Sequence, residues 1–363
     1  MISVAVLHHV LPMSFSDNLL DWYDRHARDL PWRIGPADGK AGVRPDPYHV
    51  WLSEVMLQQT TVATVKTYYE KFLARWPTIG FLAAATSEDV MAEWAGLGYY
   101  SRARNLNACA NLIASEYGGK FPQSATELRA LPGIGEYTSA AIAAIAFGEK
   151  VPVVDGNIER VVTRQTADAT PLPKAKANCA TFMERETPGD RPGDFVQAMM
   201  DLGATICTPK NPVCSLCSVS KWCKAREAGT MLDYPVKTAK KAKPTRKGAV
   251  FVVQRDDGLV WMVRRPDNGL LGAMAGLPAT GWDSRKDGET GSGAAPFEAD
   301  WRNTGSVKHA FTHFHLELEV WSTANADPLG DGWWGSMEAL PTVFKKAVRT
   351  ARVTDATKRS ADV

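Results

Sequence analysis

The sequence contains no apolar run that approaches the roughly 18 residues needed to cross a bilayer. Residues 1–13, MISVAVLHHVLPM, are mildly apolar, but they lack the basic segment and the small-residue cleavage site of a secretion signal. We therefore expect residues 1–15 to be a disordered leader. The rest of the chain is expected to be a cytoplasmic protein without a membrane partner.

The chain also has almost no net charge. The chain carries 42 Lys and Arg against 40 Asp and Glu, which leaves +2, so the charge of the whole chain points to no class of partner. Basic residues gather locally, because VKTAKKAKPTRKG, between residues 236 and 248, contains six Lys or Arg and no acid. This composition predicts that residues 231–247 form an extended linker.

Cysteine is too sparse for a disulfide scaffold, with six in 363 residues. Cys109 and Cys179 stand alone in helical patterns and are predicted to be buried thiols. The other four crowd into residues 207–223 and are Cys207, Cys214, Cys217 and Cys223. Structural zinc sites tend to use two short Cys pairs, whereas iron–sulfur clusters accept one pair with unequal outer gaps. The spacing favours a [4Fe–4S] cluster, with zinc as the alternative.

The same loop is basic, since residues 207–226 include four Lys or Arg and no acid. A redox ferredoxin would not need such a loop, but a cluster that braces a phosphate-contacting loop would use one. A solvated basic face is the alternative interpretation.

The sequence also lacks a repeat of about 20–50 residues, which argues against a solenoid. Helix-period apolar patterning over residues 16–230 predicts a mainly α domain. From residue 248 the period changes to two. In FTHFHLELEVW this places Phe314, Leu316, Leu318 and Val320 on one face of a strand. We predict a smaller α+β domain over residues 248–350 and a frayed tail over residues 351–363.

The segment LPGIGEYTSA, residues 131–140, is a glycine turn that leads into an apolar helix. Gly133 and Gly135 permit a tight turn, and the backbone N–H groups and the helix dipole together bind a phosphate. A plain turn between helices is the alternative, but helical patterns on both sides of Leu131–Gly135 favour a helix-hairpin-helix.

Two carboxylates stand in unusual surroundings. Glu54 lies in WLSEVMLQQT among Trp51, Leu52 and Val55, and an apolar setting of this kind raises the pKa of a carboxyl group. Asp155 ends the apolar run in VPVVDGNIER, just before a helical segment. A surface glutamate and a helix N-cap are the ordinary alternatives for these two residues.

The hairpin, the Asp155 segment and the cysteine loop occur in this order in the endonuclease III-like DNA glycosylases. Within that group, WLSEVMLQQT, GLGYYSRARNL, VVDGN and QAMMDLGATIC resemble the MutY-type adenine DNA glycosylases, and the likeness extends over roughly residues 16–350. The resemblance implies a mainly α helix-hairpin-helix glycosylase domain over residues 16–230, including a [4Fe–4S] loop at 207–223. It also implies a Nudix-like α+β domain over residues 248–350.

The resemblance also implies an activity, the base excision repair of adenine paired with 8-oxoguanine or guanine in double-stranded DNA. It further implies that the protein is a monomer. Glycoside chemistry needs one acid for the leaving group and one carboxylate for the sugar cation. By resemblance Glu54 protonates N7 of adenine, and Asp155 stabilises the cation by charge or by covalent attachment. Asn157 steadies the site, and Tyr137 forms a hydrogen bond near Asp155.

Further contacts to DNA follow from the same resemblance. Because the target base must leave the stack, Tyr99 and Gln59, with its neighbour Gln58, are expected to intrude beside the opposing base. Gln197 contacts the adenine edge and Arg33 lines the adenine pocket. The hairpin contacts that hold the backbone phosphate come from Leu131, Gly133 and Gly135.

The C-terminal domain resembles the module that recognises 8-oxoguanine, with Phe311, Thr312 and His313 as its recognition loop. The family commonly has serine where Thr312 stands. No run of Arg-Glu followed by paired glutamates comes after LLGAMAGLP, so pyrophosphatase activity is not expected.

Two positions depart from relatives that cleave the strand. Bifunctional endonuclease III-type enzymes carry a lysine where this chain has Tyr137, and some adenine glycosylases have a lysine where it has Glu159. Since a Schiff base needs an amine, we predict base removal without efficient strand cleavage. The alternatives are an endonuclease III-like lyase for oxidised pyrimidines and a non-catalytic iron–sulfur lesion-binding protein.

Overall fold

The computed structural model describes residues 13–238, 242–266, 269–272, 274–324 and 326–359, with side chains to residue 352. The chain divides into two compact units, Met1–Ala239 and Lys240–Val363. The first is mainly helical and the second is α+β, which confirms the predicted fold class.

The helices of the first unit often begin at residues that cap their N-termini. Ser14, Asp46, Thr86, Ser124 and Asp155 each accept a hydrogen bond from a backbone N–H in the first turn. The helices are α1 (Phe15–His26), α2 (Pro36–Lys40), α3 (Pro47–Leu57), α4 (Val62–Arg75), α5 (Ile79–Ala83), α6 (Ser87–Glu93), α7 (Ser101–Glu116), α8 (Ala125–Leu128), α9 (Glu136–Phe147), α10 (Gly156–Thr166), α11 (Lys176–Glu186), α12 (Pro192–Thr205) and α13 (Lys224–Glu227).

Helix α9 lies between two apolar cores of this unit. Its Ile142 packs in one core with Trp51 of α3, and its Ala141 packs in the other with Phe195 of α12. A helix that is apolar on all sides must be buried on all sides, as the Ala/Ile-rich sequence predicted. The helix ends at Gly148, whose φ of 73° is the left-handed C-cap conformation.

The second unit is built on a mixed sheet and one long helix. Its elements are β1 (Thr245–Gln254), β2 (Val260–Arg264), β3 (Ala275–Gly276), β4 (Arg302–Ala310), β5 (His315–Ala324), β6 (Trp333–Gly335) and α14 (Thr342–Arg359). The strand order in the sheet is β3-β2-β1-β5-β4, and β6 pairs with β2. Strands β1 and β5 are parallel, and the other pairs are antiparallel.

The alternating face predicted for β5 is confirmed. Leu316, Leu318 and Val320, with the preceding Phe314, are at most 1% exposed and share a core with Phe344 of α14. The helix therefore covers the apolar face of the sheet, as an α+β architecture requires.

Three segment boundaries differ from the sequence prediction. Phe15 is already buried in α1, and residues 1–12 of the expected leader lie outside the described residues. The expected linker is structured at both ends, because Leu172 bridges Lys237 and β1 begins at Thr245. Helix α14 continues through residue 359, so the expected tail is helical over most of its length.

Candidate active site

A cleft with about 1610 Å³ of free space opens between the two cores of the helical unit. Helices α3, α9, α10 and α12 supply most of its walls. Eight of the predicted site residues line it: Arg33, Glu54, Gln58, Gln59, Tyr137, Asp155, Asn157 and Gln197. Positions that are up to 164 residues apart in sequence, from 33 to 197, thus meet at one surface.

Glu54 is 7% exposed, on the third turn of α3. The pKa of Glu54 is raised to about 7, chiefly by burial and also by the nearby charge of Asp155. A hydrogen bond from Tyr137 and the charge of Arg33 act in the opposite direction. The carboxyl group is therefore partly protonated at neutral pH, which fits a proton donor better than the alternative of a surface glutamate.

Tyr137, in the first turn of α9, donates from its hydroxyl to Oε2 of Glu54 over 2.8 Å. The sequence prediction placed this hydrogen bond near Asp155 without naming an acceptor, and the packing of α9 against α3 brings the phenol to Glu54. Burial, followed by the charges of Glu54 and Asp155, raises the pKa of Tyr137 well above its ordinary value. The phenol thus stays protonated and donates.

Asp155 is the N-cap of α10 and lines the cleft at the same time. Its Oδ1 accepts from the backbone N–H of Ile158 at 2.7 Å, and its Oδ2 accepts from Nδ2 of Asn157 at 3.1 Å. Burial raises the pKa of Asp155, while these two hydrogen bonds and the charge of Arg160 lower it. The capping and site interpretations of Asp155 coexist, because capping fixes the direction of the carboxylate.

Asn157 is oriented from both ends. Its Oδ1 accepts from Nη2 of Arg160 at 2.8 Å, so its Nδ2 faces Asp155. Arg160 also donates to the carbonyl oxygens of Gly203 at 2.7 Å and Cys207 at 2.8 Å. A continuous set of hydrogen bonds therefore joins Asp155 to the start of the cysteine loop.

Arg33 contacts the wall of the cleft through an ion pair that the sequence did not reveal. Its Nη1 lies 2.8 Å from Oδ2 of Asp201, which is fully buried and also accepts from Nε of Arg28 at 2.6 Å. Because Asp201 lies 173 and 168 residues after Arg28 and Arg33, only the helical pattern at α12 could have indicated a buried acid. The pair fixes the Arg33 guanidinium beside Glu54.

The two glutamines after α3 differ in position. Gln58 donates to Oγ1 of Thr138 at 3.2 Å, which attaches it to α9. Gln59 is exposed and has a φ of 58°, in the left-handed region that a non-glycine residue rarely adopts. Tyr99 shares both properties, with a φ of 49° and 51% exposure. Both side chains therefore project from constrained turns.

The hairpin before α9 has the form that the sequence predicted. Leu131 is buried, and Gly133 has a φ of 74°. A Cβ at Gly133 would lie 2.6 Å from that of Asn105, so a side chain is excluded there by space as well as by conformation. Gly135 is the N-cap of α9. The glycine turn therefore leads directly into the N-terminus of α9, with no side chain at Gly133 or Gly135 to cover its backbone.

The four clustered cysteines line a second pocket, of about 360 Å³. All four are free and half-buried. Burial, and then the proximity of Cys207, Cys223 and Cys214, raise the pKa of Cys217 to about 12, so the thiols are near one another. Arg164 places Nη1 3.3 Å from Sγ of Cys207. Within the described ranges, no group of three or more His, Cys, Asp or Glu side chains is arranged to hold a metal ion.

In the second unit, residues 311–313 form the turn between β4 and β5. The ring of Phe311 stacks on that of Phe314 with centroids 4.9 Å apart, and Thr312 and His313 are exposed. Nζ of Lys243 donates to the carbonyl of Phe311 at 3.0 Å. The turn is therefore anchored at its first residue and open at the next two.

An ion pair at the edge of the cleft was also missed. Nζ of Lys176, the first residue of α11, lies 3.3 Å from Oε1 of Glu159. Both residues line the cleft, and Glu159 stands one helical turn after Asp155. The sequence predicts that positions 137 and 159 lack amines, and the structure shows that a lysine from another helix, Lys176, lies beside Glu159.

The family comparisons agree with this geometry. Residues 52–180 match the model of the HhH-GPD superfamily base excision DNA repair protein, and residues 249–351 match that of the NUDIX domain. The helical unit is similar to the solved structure of a thermostable thymine-DNA glycosylase, with a TM-score of 0.53 and 30% identity, over 59% of this chain and 95% of that one.

Similarity to whole proteins is more specific. The chain is 35% identical to the adenine DNA glycosylase of Homo sapiens over an alignment of 403 residues. This alignment covers 93% of this chain and 73% of the human protein. It is 39% identical over 247 residues to the adenine DNA glycosylase of Mycobacterium tuberculosis, covering 66% and 74%. The chain belongs to the adenine DNA glycosylase family, in agreement with the MutY-type resemblance.

A membrane-spanning element is not among the helices of the structure. Across the described segments, every helix is too short or too polar to cross a bilayer.

Proposed function

We propose that this protein is a monofunctional glycosylase that hydrolyses the N-glycosidic bond of adenine paired with 8-oxoguanine or guanine in double-stranded DNA. One observation carries the proposal. In a chain of the adenine DNA glycosylase family, a buried glutamate with a pKa of about 7 shares a cleft with a second, hydrogen-bonded carboxylate.

Glu54 is the proposed acid. At neutral pH a substantial fraction of Glu54 carries a proton, which it donates to N7 of an adenine that has left the stack. The 2.8 Å hydrogen bond from Tyr137 to Oε2 of Glu54 holds the carboxyl group in place. Protonation turns adenine into a good leaving group, and a water molecule completes the hydrolysis at the sugar.

Asp155 is the proposed partner of the sugar cation. Ile158 and Asn157 fix its carboxylate, so its charge is already oriented when positive charge develops on the sugar. Such preorganisation is compatible both with electrostatic stabilisation and with a transient covalent bond. Gln197 and Arg33 line the same cleft; Gln197 is proposed to contact the adenine edge and Arg33 to line the adenine pocket.

DNA is proposed to lie across the cleft mouth and the hairpin. Exposed Gln59 and Tyr99 would enter the duplex, and the Leu131–Gly135 turn would bind a backbone phosphate near the start of α9. For 8-oxoguanine, the exposed Thr312 and His313 beside Phe311 are the proposed recognition groups. Threonine keeps the hydroxyl that serine supplies in relatives.

A [4Fe–4S] cluster is proposed for the cysteine loop. The residues fit because four free thiols, the ligand type of iron–sulfur clusters, line one pocket. Cys207, Cys214, Cys217 and Cys223 would hold the group. When bound, it would brace the loop that carries Lys221 and Arg226.

The activity is tested with a duplex that contains one adenine:8-oxoguanine pair, analysed with and without alkali. The proposal predicts strand breaks only after alkali. Breaks without alkali would favour the lyase alternative, and binding without breaks would favour the lesion-binding alternative. A duplex with thymine in place of the adenine is the matched control, and the Glu54→Gln variant should be inactive.

A further inference from the structure

Arg102, in the first turn of α7, is an arginine that is only 8% exposed. Its hydrogen bonds run to main-chain carbonyls and one hydroxyl, and no carboxylate of the described segments lies within ion-pair distance of it. Burying an arginine without a carboxylate is costly, so each donor needs an acceptor. Nη1 and Nη2 meet this need by joining two separate turns, whereas the buried Nε has no hydrogen-bond partner among the described residues.

The first turn is the end of α3. Nη1 of Arg102 donates to the carbonyls of Val55 and Met56, both at 3.0 Å, and Nη2 lies 3.3 Å from Oγ1 of Thr60. The last carbonyls of a helix lack partners within the helix, and a cation there also complements the helix dipole. Arg102 therefore fixes the chain on both sides of Gln58 and Gln59.

The second turn precedes α7. Nη2 of Arg102 donates to the carbonyls of Leu97 and Gly98, both at 3.1 Å. The guanidinium carbon also lies 5.1 Å from the ring centroid of Trp94 and 5.7 Å from that of Tyr99. The same side chain thus holds the residues immediately before Tyr99.

Each turn carries a non-glycine residue in the left-handed region, Gln59 at 58° and Tyr99 at 49°. Such residues persist only where their surroundings determine the backbone. Here the Arg102 guanidinium is hydrogen-bonded to the backbone of both turns, so its displacement would release both turns together.

We propose that Arg102 is a positioning residue that makes the Gln59 and Tyr99 turns one rigid element for entering the duplex. This inference rests on the proposed function and adds a coupling between the two turns. Gln59 and Tyr99 then act as a unit, and loss of Arg102 disables both although it touches neither the adenine nor the carboxyl groups of Glu54 and Asp155.

The test is a double-mutant cycle on single-turnover adenine release at saturating enzyme. Arg102→Lys keeps the charge but cannot reach both turns, and it should slow the wild type by about tenfold or more. In a Tyr99→Ala background it should slow release by less than about twofold, because the element is already disabled. Equal losses in both backgrounds would overturn the inference.

A second readout reports on the duplex itself. With 2-aminopurine beside the opposing base, wild-type binding should raise fluorescence as the stack opens, and Arg102→Lys should bind without this rise. Thr60→Val removes one acceptor, keeps the arginine, and should show the same non-additivity to a smaller degree. Additivity there also contradicts the coupling, so the test does not depend on Arg102→Lys folding. Arg185→Lys, an exposed arginine on α11, is the matched control.

Different results would refute the proposed function and the coupling by Arg102. A wild-type protein that releases no adenine refutes the proposed function. A wild type that releases adenine, with additive variants and an unchanged fluorescence rise in Arg102→Lys, refutes only the coupling by Arg102.

Discussion

The hydroxyl of Tyr137 donates a 2.8 Å hydrogen bond to Oε2 of Glu54, across 83 residues of sequence. By the family resemblance, the tyrosine stands where strand-cleaving enzymes of the endonuclease III type are expected to have a lysine, so a hydrogen-bond donor takes the place of a nucleophilic amine. A donor to a carboxylate stabilises the ionised form, and this bond lowers a pKa that burial raises. The balance between the two effects sets the pH range of the proposed acid.

Tyr137→Phe should therefore shift the pH profile of adenine release. Because Glu54 must be protonated, the single-turnover rate of the wild type should fall as pH rises through about 7. Removing the hydrogen bond raises the Glu54 pKa further, so this alkaline limb should move to higher pH. Tyr117→Phe, at an exposed position, is the control. A limb that stayed in place would show that the bond does not govern the acid.

Glu54→Gln should abolish adenine release and raise stability above neutral pH. The pKa of Glu54 is raised from 4.5 in the unfolded chain to about 7 in the folded protein. Protonated Glu54 therefore contributes its full share to the free energy of unfolding below about pH 4.5, and this contribution is lost as pH rises through about 7. Glutamine mimics the protonated form, so at pH 8 the variant should gain up to about 3 kcal/mol in free energy of unfolding. At pH 4 the two proteins should be equal.

Urea unfolding at both pH values provides the measurement, with Glu70→Gln on the exposed face of α4 as the control. A pH-independent difference between wild type and Glu54→Gln would contradict the raised pKa.

Asp155→Asn should separate the two roles of this residue. Asparagine caps helices about as well as aspartate, so the free energy of unfolding should change by less than about 1 kcal/mol. The negative charge beside the sugar is lost, and the rate of adenine release should fall by about 10³-fold. Asp155→Ala should lose the cap as well and unfold about 1 kcal/mol more easily. An active Asp155→Asn enzyme would mean that the charge is not needed.

Gly203→Ala should disturb the site from behind. A Cβ on Gly203 would lie 2.7 Å from Cβ of Asn157 and 3.2 Å from its Cα, so the start of α10 must shift. Because Asn157 orients Asp155, adenine release should slow by about 10²-fold. Gly189→Ala, where a Cβ meets nothing within 4 Å, should behave as wild type. Single-turnover rates and thermal unfolding together separate misplacement of the carboxylate from loss of the fold.

Much of this site was predictable from local sequence. Glu54 sits among Trp51, Leu52 and Val55, so a buried carboxyl group with a raised pKa follows from its neighbours alone. The helix after Asp155 likewise follows from its capping pattern. Both depend on residues within one helical turn.

Other features depend on how distant helices cross. The sequence says nothing about which face of α9 meets α3, so it did not identify Glu54 as the acceptor of the Tyr137 hydrogen bond. Arg102 is one of two arginines just after Tyr99, and the sequence does not single it out because its acceptors are backbone carbonyls that no sequence motif marks. The start of β1 inside a basic segment was also hidden, since it is fixed by pairing with β5, seventy residues away.

Glu159→Lys should give this enzyme an amine that reacts with its own product. Residue 159 lies one turn of α10 after Asp155, in the same cleft. An unprotonated lysine there can attack C1′ of the ring-opened abasic sugar, forming an imine with loss of water, and borohydride then reduces the imine to a stable amine. Wild-type protein should give little trapped adduct with DNA, and Glu159→Lys should give it readily.

Because Lys176 also lines the cleft, Lys176→Ala is made alone and together with Glu159→Lys. An adduct of the wild type that vanishes in Lys176→Ala would assign lyase-type chemistry to Lys176 and contradict the monofunctional prediction.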